Sequence, residues 1–355
     1  MARLRLLEVA WRELHQGDPD ATPFQTFTWT MLWLSSYEFL VDSPWIVLCY
    51  RDEQLVGVIP LYRRKVGALG LGIGMLAFIG SGEPESCESC AEYLDVLCLD
   101  GYKDVCTNCF HEAIVAARGV SGVEFSRMFA ERVDAMAGPL GRDFTISEQR
   151  PAGRRFLVST DGAHPNLQLS RRTLSALRRK KRRFFELPGA QLRYAENADS
   201  LTTVFDALIS LHQRRWEVAG QKGVFDSALF TTFHRRFAQD LLDDAQLLLF
   251  CLEVEGRPVT AHYCILSKTT CFFYQSGVDT EAYSNLSLGS VAHLIAIEHS
   301  VERGIAFYDL MAGAEKGYKR RFVEPCEPLL TREIYRGRGG MLLNKASRRF
   351  GHSGL

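Results

Sequence analysis

Ser287-Leu288-Gly289-Ser290 stands between a strand-like run that ends at Val278 and a stretch, Leu288 to Val301, whose apolar residues recur at helix spacing. A helix that begins in such a loop leaves its first N–H groups without intrahelical acceptors, and its dipole adds positive potential there. An anion is favoured at that end, and Gly289 would let a phosphate approach the backbone closely. The same Ser and Gly residues also suit an ordinary helix start, so the loop alone leaves both readings open. Asp309 closes a later strand-like run, with Glu315, Tyr318 and Lys319 just beyond it. Upstream, His262 sits in mid-strand between Ala261 and Tyr263, which leaves its facing open between a ligand and the core.

Three other patterns compete for attention. Cys87-Glu-Ser-Cys90 and Cys106-Thr-Asn-Cys109, fifteen residues apart, have a spacing used for zinc. Four thiolates must then meet one ion at about 2.3 Å. If Tyr93 to Leu99 is a single strand, the two pairs stand roughly 20 Å apart, and no bound metal is expected. Between Arg171 and Arg183, eight of thirteen residues are Lys or Arg. That run reads either as a nucleic-acid contact, tRNA included, or as a solvated helix packed on an acidic neighbour, and its only nearby aromatics are Phe184-Phe185. Gly67-Ala-Leu-Gly-Leu-Gly-Ile-Gly74 lacks the G-x-G-x-x-G spacing and opens no helix, so it reads as a strand connection.

The elements that must position these residues follow from pattern and composition. The 355 residues suit two domains, and 46% hydrophobic with 24% charged residues match a folded globular protein. Net charge is zero, yet residues 1–160 carry 15 Lys and Arg against 21 Asp and Glu, and residues 161–355 carry 27 against 21. No apolar run is long enough for a signal peptide or a transmembrane helix, so a cytoplasmic protein without structural disulfides is expected from the ten cysteines. The first half predicts a hairpin of Trp45–Tyr50 with Leu55–Tyr62, strands at Met75–Ile79, Tyr93–Leu99 and 122–125, and a helix near 103–117. In the second, a basic helix (170–186), a strand (191–195) and helices near 200–219 and 226–242 precede a meander of Gln246–Val254, Pro258–Leu266 and Cys271–Val278. The helix 288–301, closed by Gly304, and the strand Ala306–Met311 complete a strand-helix-strand crossover. Both halves share this outline without a residue-level repeat. Asp161-Gly162 and Pro165 place the seam near Ser159 to Pro165, giving modules of 1–161 and 162–355 in an α+β chain.

The runs Gln213-Arg-Arg-Trp216, Phe273-Tyr-Gln-Ser-Gly-Val-Asp279, Tyr283-Ser-Asn-Leu-Ser-Leu-Gly289, Glu302-Arg-Gly304, Tyr308-Asp-Leu310 and Gly313-Ala-Glu-Lys-Gly-Tyr-Lys319 resemble the CelD-type acetyltransferases associated with cellulose biosynthesis. They are more distantly similar to the FemAB peptidoglycan-bridge transferases. Pro23-Phe-Gln-Thr-Phe-Thr-Trp29 and Glu92-Tyr-Leu-Asp95 also fit, so the resemblance covers most of the chain. It implies two tandem GNAT-like modules, each a mixed, mostly antiparallel sheet flanked by helices. It further implies acetyl-CoA or another acyl-CoA as donor and a small-molecule or sugar-related amine as acceptor. Where the family reads Gly, an acidic pair, Pro and Tyr-Lys, this chain keeps one acidic residue, Glu315.

Attack of a neutral amine on a thioester needs a base, donors for the oxyanion and an acid for the leaving thiolate. Asp309 and Glu315 are the available carboxylates, though Asp309 reads equally as a helix-capping or turn carboxylate. The resemblance implies Tyr318 as the acid, a residue that reads equally as a packed aromatic with a bonded hydroxyl. Leu288, Gly289 and Ser290 would hold the donor phosphates, Gln275 and Gly277 its pantetheine arm, and His262, Trp216 and Lys319 the acceptor. A glycine in a strand equally marks a bulge. The first module, lacking a Ser/Gly loop before a helix, is expected to shape the acceptor cleft. The rival expectations are a FemAB-like aminoacyl-tRNA-dependent transferase and a catalytically silent accessory protein of exopolysaccharide assembly.

Overall fold

A computed structural model describes residues 2–66, 73–160, 169–337 and 341. Most of the glycine run Gly67–Gly74 and most of the expected seam lie outside them. The chain divides into two units, one formed by the described parts of Met1–Gly153 and Glu327–Leu355, the other by those of Arg154–Cys326. The division therefore falls at 153/154, and the last strand returns to the first unit.

The first unit contains helices α1 (Ala2–Arg5), α2 (Glu8–Gly17) and α3 (Phe27–Ser36), strands β1 (Val41–Arg51), β2 (Gln54–Val66), β3 (Ile73–Phe78) and β4 (Leu97–Cys98), and then α4 (Lys103–Ala116). β5 (Gly122–Phe129), α5 (Ala130–Ala137), β6 (Thr145–Ile146) and β7 (Arg150–Arg154) follow. β1 and β2 form the expected hairpin, Asp52 taking the left-handed conformation at its turn. β3 and β5 run parallel, joined across α4. The expected strand over Tyr93–Leu99 shrinks to Leu97–Cys98. Tyr93 is left-handed (φ 61°) at a bend, and Asp95 binds the N–H of Val96 through Oδ1 at 2.7 Å, so the residues before Leu97 are irregular.

The second unit opens on β8 (Leu157–Ser159) and the basic helix α6 (Arg171–Phe185), capped by Ser170, whose Oγ accepts from the Thr173 N–H at 3.1 Å. β9 (Ala190–Tyr194), α7 (Ala198–Val218) and α8 (Ala228–Asp243) lead to the meander β10 (Leu247–Val254), β11 (Arg257–Leu266) and β12 (Thr270–Val278). Glu255 and Gly256 both have positive φ, as a two-residue hairpin turn of this hand requires. α9 (Leu288–Glu302) then crosses to β13 (Phe307–Asp309), parallel to β12. Helix α9 is apolar on nearly all sides because it is buried on nearly all sides. Its core partners include Phe250, Cys264, Phe273 and Leu310.

β14 (Pro328–Tyr335) was not foreseen; it pairs with β5 in the first sheet, order β1-β2-β3-β5-β14-β6. The second sheet runs β8-β13-β12-β11-β10-β9. Both are mixed, mostly antiparallel sheets flanked by helices, and each contains a parallel pair spanning a helical crossover. Among the described residues no helix is long and apolar enough to cross a membrane. No group of His, Cys, Asp or Glu among them is arranged to hold a metal ion.

Candidate active site in the second unit

The central feature is an early end to strand pairing. β12 continues to Val278, but β13 accompanies it only through Thr270↔Phe307, Cys271↔Tyr308 and Phe272↔Asp309. Beyond Asp309 the chain bonds to its other neighbour: the Leu310 N–H donates to the Phe156 carbonyl at 2.9 Å, and Gly313 and Arg154 exchange two hydrogen bonds. A wedge thus opens at the carboxyl ends of two parallel strands, where open sheets commonly bind ligands.

Helix α9 begins at this mouth. Ser287 precedes it with φ 51° and ψ 52°, a left-handed conformation in which its hydroxyl does not cap the helix. The hydroxyl instead accepts from Lys180 Nζ at 2.7 Å. The Ser290 and Val291 N–H groups return to the Ser287 carbonyl, while those of Leu288 and Gly289 have no acceptor among the described residues. Two free donors, the helix dipole and a lysine make this end suitable for an anion. A Cβ added at Gly289 would meet only Val278 Cγ2, at 3.3 Å.

Other candidates are placed differently. Asp309 has no exposure; its Oδ2 accepts from Arg155 Nε at 2.7 Å and its Oδ1 from the Met311 N–H at 2.7 Å. Burial raises its carboxyl above the ordinary range, with the Arg155 guanidinium opposing. A carboxylate enclosed and committed in this way forms a buried ion pair with Arg155. His262, 1% exposed, is likewise interior. Its Nε2 lies 3.0 Å from Tyr308 Oη, and burial pushes its pKa down to about 3. Lys319 closes its own loop, donating to the Ala312 carbonyl at 2.6 Å. Gln275 Oε1 accepts from the Ser276 N–H.

Gly277 owes its identity to packing. A Cβ there would stand 2.6 Å from Leu211 Cβ and 2.7 Å from the His212 backbone nitrogen, both on α7, and the register shift between β11 and β12 lies elsewhere, at Tyr263/Cys264. Gly277→Ala is expected to cost about 1–3 kcal/mol of stability through overpacking, measured by urea unfolding. A variant of unchanged stability that binds donor poorly would return Gly277 to the ligand-contacting set.

Trp216 keeps 36% exposure and donates its Nε1–H to His212 Nε2 at 3.0 Å. His212, held neutral by burial with a pKa near 4, faces Gln213 Oε1 with its other nitrogen. Glu315 is exposed. Tyr318 is 44% exposed, and its ring lies 5.8 Å from that of His293 on α9. Partial burial pushes its phenol up to about 12, against the pull of the Arg215 guanidinium. His293, Tyr308, Lys180 and Arg155 join the site without a motif that marks any of them individually. Tyr308 was in view beside Asp309; His293 was hidden in the apolar run of α9.

Two cavities lie away from the wedge. In the second unit a groove of about 1100 Å³ follows one face of α6, lined by Arg171, Leu174, Arg178, Arg182 and Phe185. In the first unit a cavity of about 640 Å³ is lined by Arg64, Glu83, Glu88, Glu124, Arg127 and Arg150. Glu124, at the end of the β3–β5 pairing, binds Arg64 at 2.9 Å and so repeats in the first sheet the place of Asp309 in the second.

The family model of the acetyltransferase (GNAT) domain matches residues 171–320, within the second unit. No curated protein sequence matches the chain. Among solved structures, FemX superposes with a TM-score of 0.62 at 9% identity, covering 95% of this chain and 98% of its own. The C-terminal domain of a putative lysylphosphatidylglycerol synthetase from Agrobacterium fabrum gives 0.56 at 12% identity, covering 98% and 96%. L-PGS from Bacillus licheniformis gives 0.51 at 12%, covering 93% and 98%. At such identities the likeness concerns the fold.

Proposed function

We propose that the second unit transfers an acyl group, acetyl in the simplest case, from acyl-CoA to the amine of a small-molecule or sugar-related acceptor. The observation that carries this reading is the wedge between β12 and the chain beyond Asp309, with the α9 N-terminus at its mouth. The pantetheine arm lies against the free edge of β12, and the phosphates take the Leu288 and Gly289 N–H groups beside Lys180. The amine nitrogen attacks the thioester carbon, the C–S bond breaks, and Tyr318 gives its proton to sulfur. The proton released by the nitrogen leaves to solvent or to exposed Glu315. Asp309 has no part in the transfer. The first unit is assigned no transfer chemistry of its own.

Gly289→Val places a branched side chain against Val278 and over the two free N–H groups. Calorimetry with acetyl-CoA should show affinity reduced roughly tenfold or more, the worth of a hydrogen bond to a charged group. Unchanged affinity in a folded variant would put the donor phosphates elsewhere.

The groove along α6 favours one second reading, aminoacyl-tRNA-dependent transfer. Arg171, Arg178 and Arg182 line it without an ion-pair partner among the described residues. Tight tRNA binding lost at moderate salt, together with no stabilisation by any acyl-CoA, would favour it.

A further inference from the structure

His262, Tyr308 and His293 form one buried hydrogen-bonded chain, none of them more than 4% exposed. His262 Nε2 stands 3.0 Å and His293 Nδ1 2.8 Å from Tyr308 Oη. A phenol has a single proton to give, so one imidazole must accept it and the other must donate to the oxygen. Cys264 also approaches Tyr308, but sulfur is a weak acceptor beside an imidazole nitrogen. The two arrangements are not equivalent, because His262 Nδ1 is shielded from solvent and has no hydrogen-bond partner. A buried N–H there would lack an acceptor, whereas a bare nitrogen there forgoes only a lone-pair contact.

The chain therefore has a direction. His262 carries its proton on Nε2 and donates to Tyr308, Tyr308 donates to His293 Nδ1, and His293 carries its proton on Nε2. Burial, with the charge of Lys319 adding to it at His293, keeps both rings neutral. Around the His293 ring stand Phe273 at 4.6 Å, Phe322 at 4.9 Å and Tyr318 at 5.8 Å between centroids. Asp309, next to Tyr308 in sequence, is occupied by Arg155 and the Met311 N–H.

We propose that Tyr308 and His262 act as a tautomer lock on His293, holding its Nε2–H as a neutral donor beside Tyr318, whose ring lies 5.8 Å from its own and whose oxygen it would bond only once the phenol gives up its proton. This rests on the assignment of Tyr318 as the acid. When the C–S bond breaks and the Tyr318 proton passes to sulfur, the phenolate oxygen gains a hydrogen bond from His293. It is later reprotonated from solvent, which has received the proton of the new amide nitrogen. His293 keeps its own proton throughout, so it is a positioning residue.

Two measurements on the full chain test this. Long-range proton–nitrogen spectra of histidine-labelled protein should show both His262 and His293 protonated at Nε2 between pH 6 and 9. A His293 protonated at Nδ1 would overturn the lock whatever the enzyme does. In turnover, Tyr308→Phe should lower kcat about tenfold, the worth of one hydrogen bond to a charged group, with donor affinity within twofold. It should cost nothing further in a Tyr318→Phe background. His293→Gln, which returns an N–H near the Nε2 position, should keep more activity than His293→Phe. Effects of Tyr308→Phe and Tyr318→Phe that multiply would reduce Tyr308 to a packing role. If Tyr318→Phe alone is fully active, it is the assignment of the acid that fails, and the spectra still decide the lock.

Discussion

Tyr318→Phe is expected to lower turnover by about 10²- to 10⁴-fold, the range of general acid catalysis, with donor affinity within a few-fold of the wild type. The substitution removes the hydroxyl and keeps the ring on His293, so folding should survive. A CoA thiol ionises near 8.5, like an ordinary thiol, and is already a fair leaving group, which places the expectation toward the low end of that range. The phenol, pushed up to about 12, stays protonated through the working range of pH. A raised pKa leaves the acid form in place below it, so turnover should rise as the acceptor amine loses its proton. It should show no alkaline fall from Tyr318 until the pH nears that value. A turnover assay with an identified acceptor measures both. Full activity in Tyr318→Phe would make the ring a packing element and solvent the acid.

What was legible in the sequence was set by local periodicity. The basic helix, the two long helices, the meander and the crossover around α9 appear within a few residues of their expected positions, because each rests on contacts between near neighbours. Pairings between distant parts of the chain were not legible. Pro328–Tyr335 joins β5, some two hundred residues away, and nothing in its own pattern names that partner. Tyr93 lies in a run that reads as a strand, yet its left-handed backbone bends the chain there.

The same limit applies to the candidate site. The Ser/Gly loop before α9 was readable because helix starts have local chemistry, and the structure gives it two free N–H groups and a lysine. The packing at Gly277 was not readable, because the residues that leave no room for a side chain belong to α7, more than sixty positions away. His262 alternates with its neighbours as a strand residue should, but only the burial of Tyr308 and His293 beneath it decides which way it faces.

Asp309→Asn is expected to destabilise the protein by about 3–5 kcal/mol, because it leaves the Arg155 charge buried without its counter-ion. Arg155 lies 154 residues earlier in the chain, which is why a carboxylate at a strand end beside a crossover reads so readily as a base. Asn can still accept the Met311 N–H, so the loss belongs to the ion pair. Replacing both partners together, Asp309→Leu with Arg155→Met, removes both charges and should cost clearly less than the two single changes added. Urea unfolding of the four proteins gives the coupling directly. A catalytic base would behave in the opposite way: Asp309→Asn would keep the stability of the wild type and lose turnover. That result would require the carboxylate to leave Arg155 and reach the wedge during the reaction.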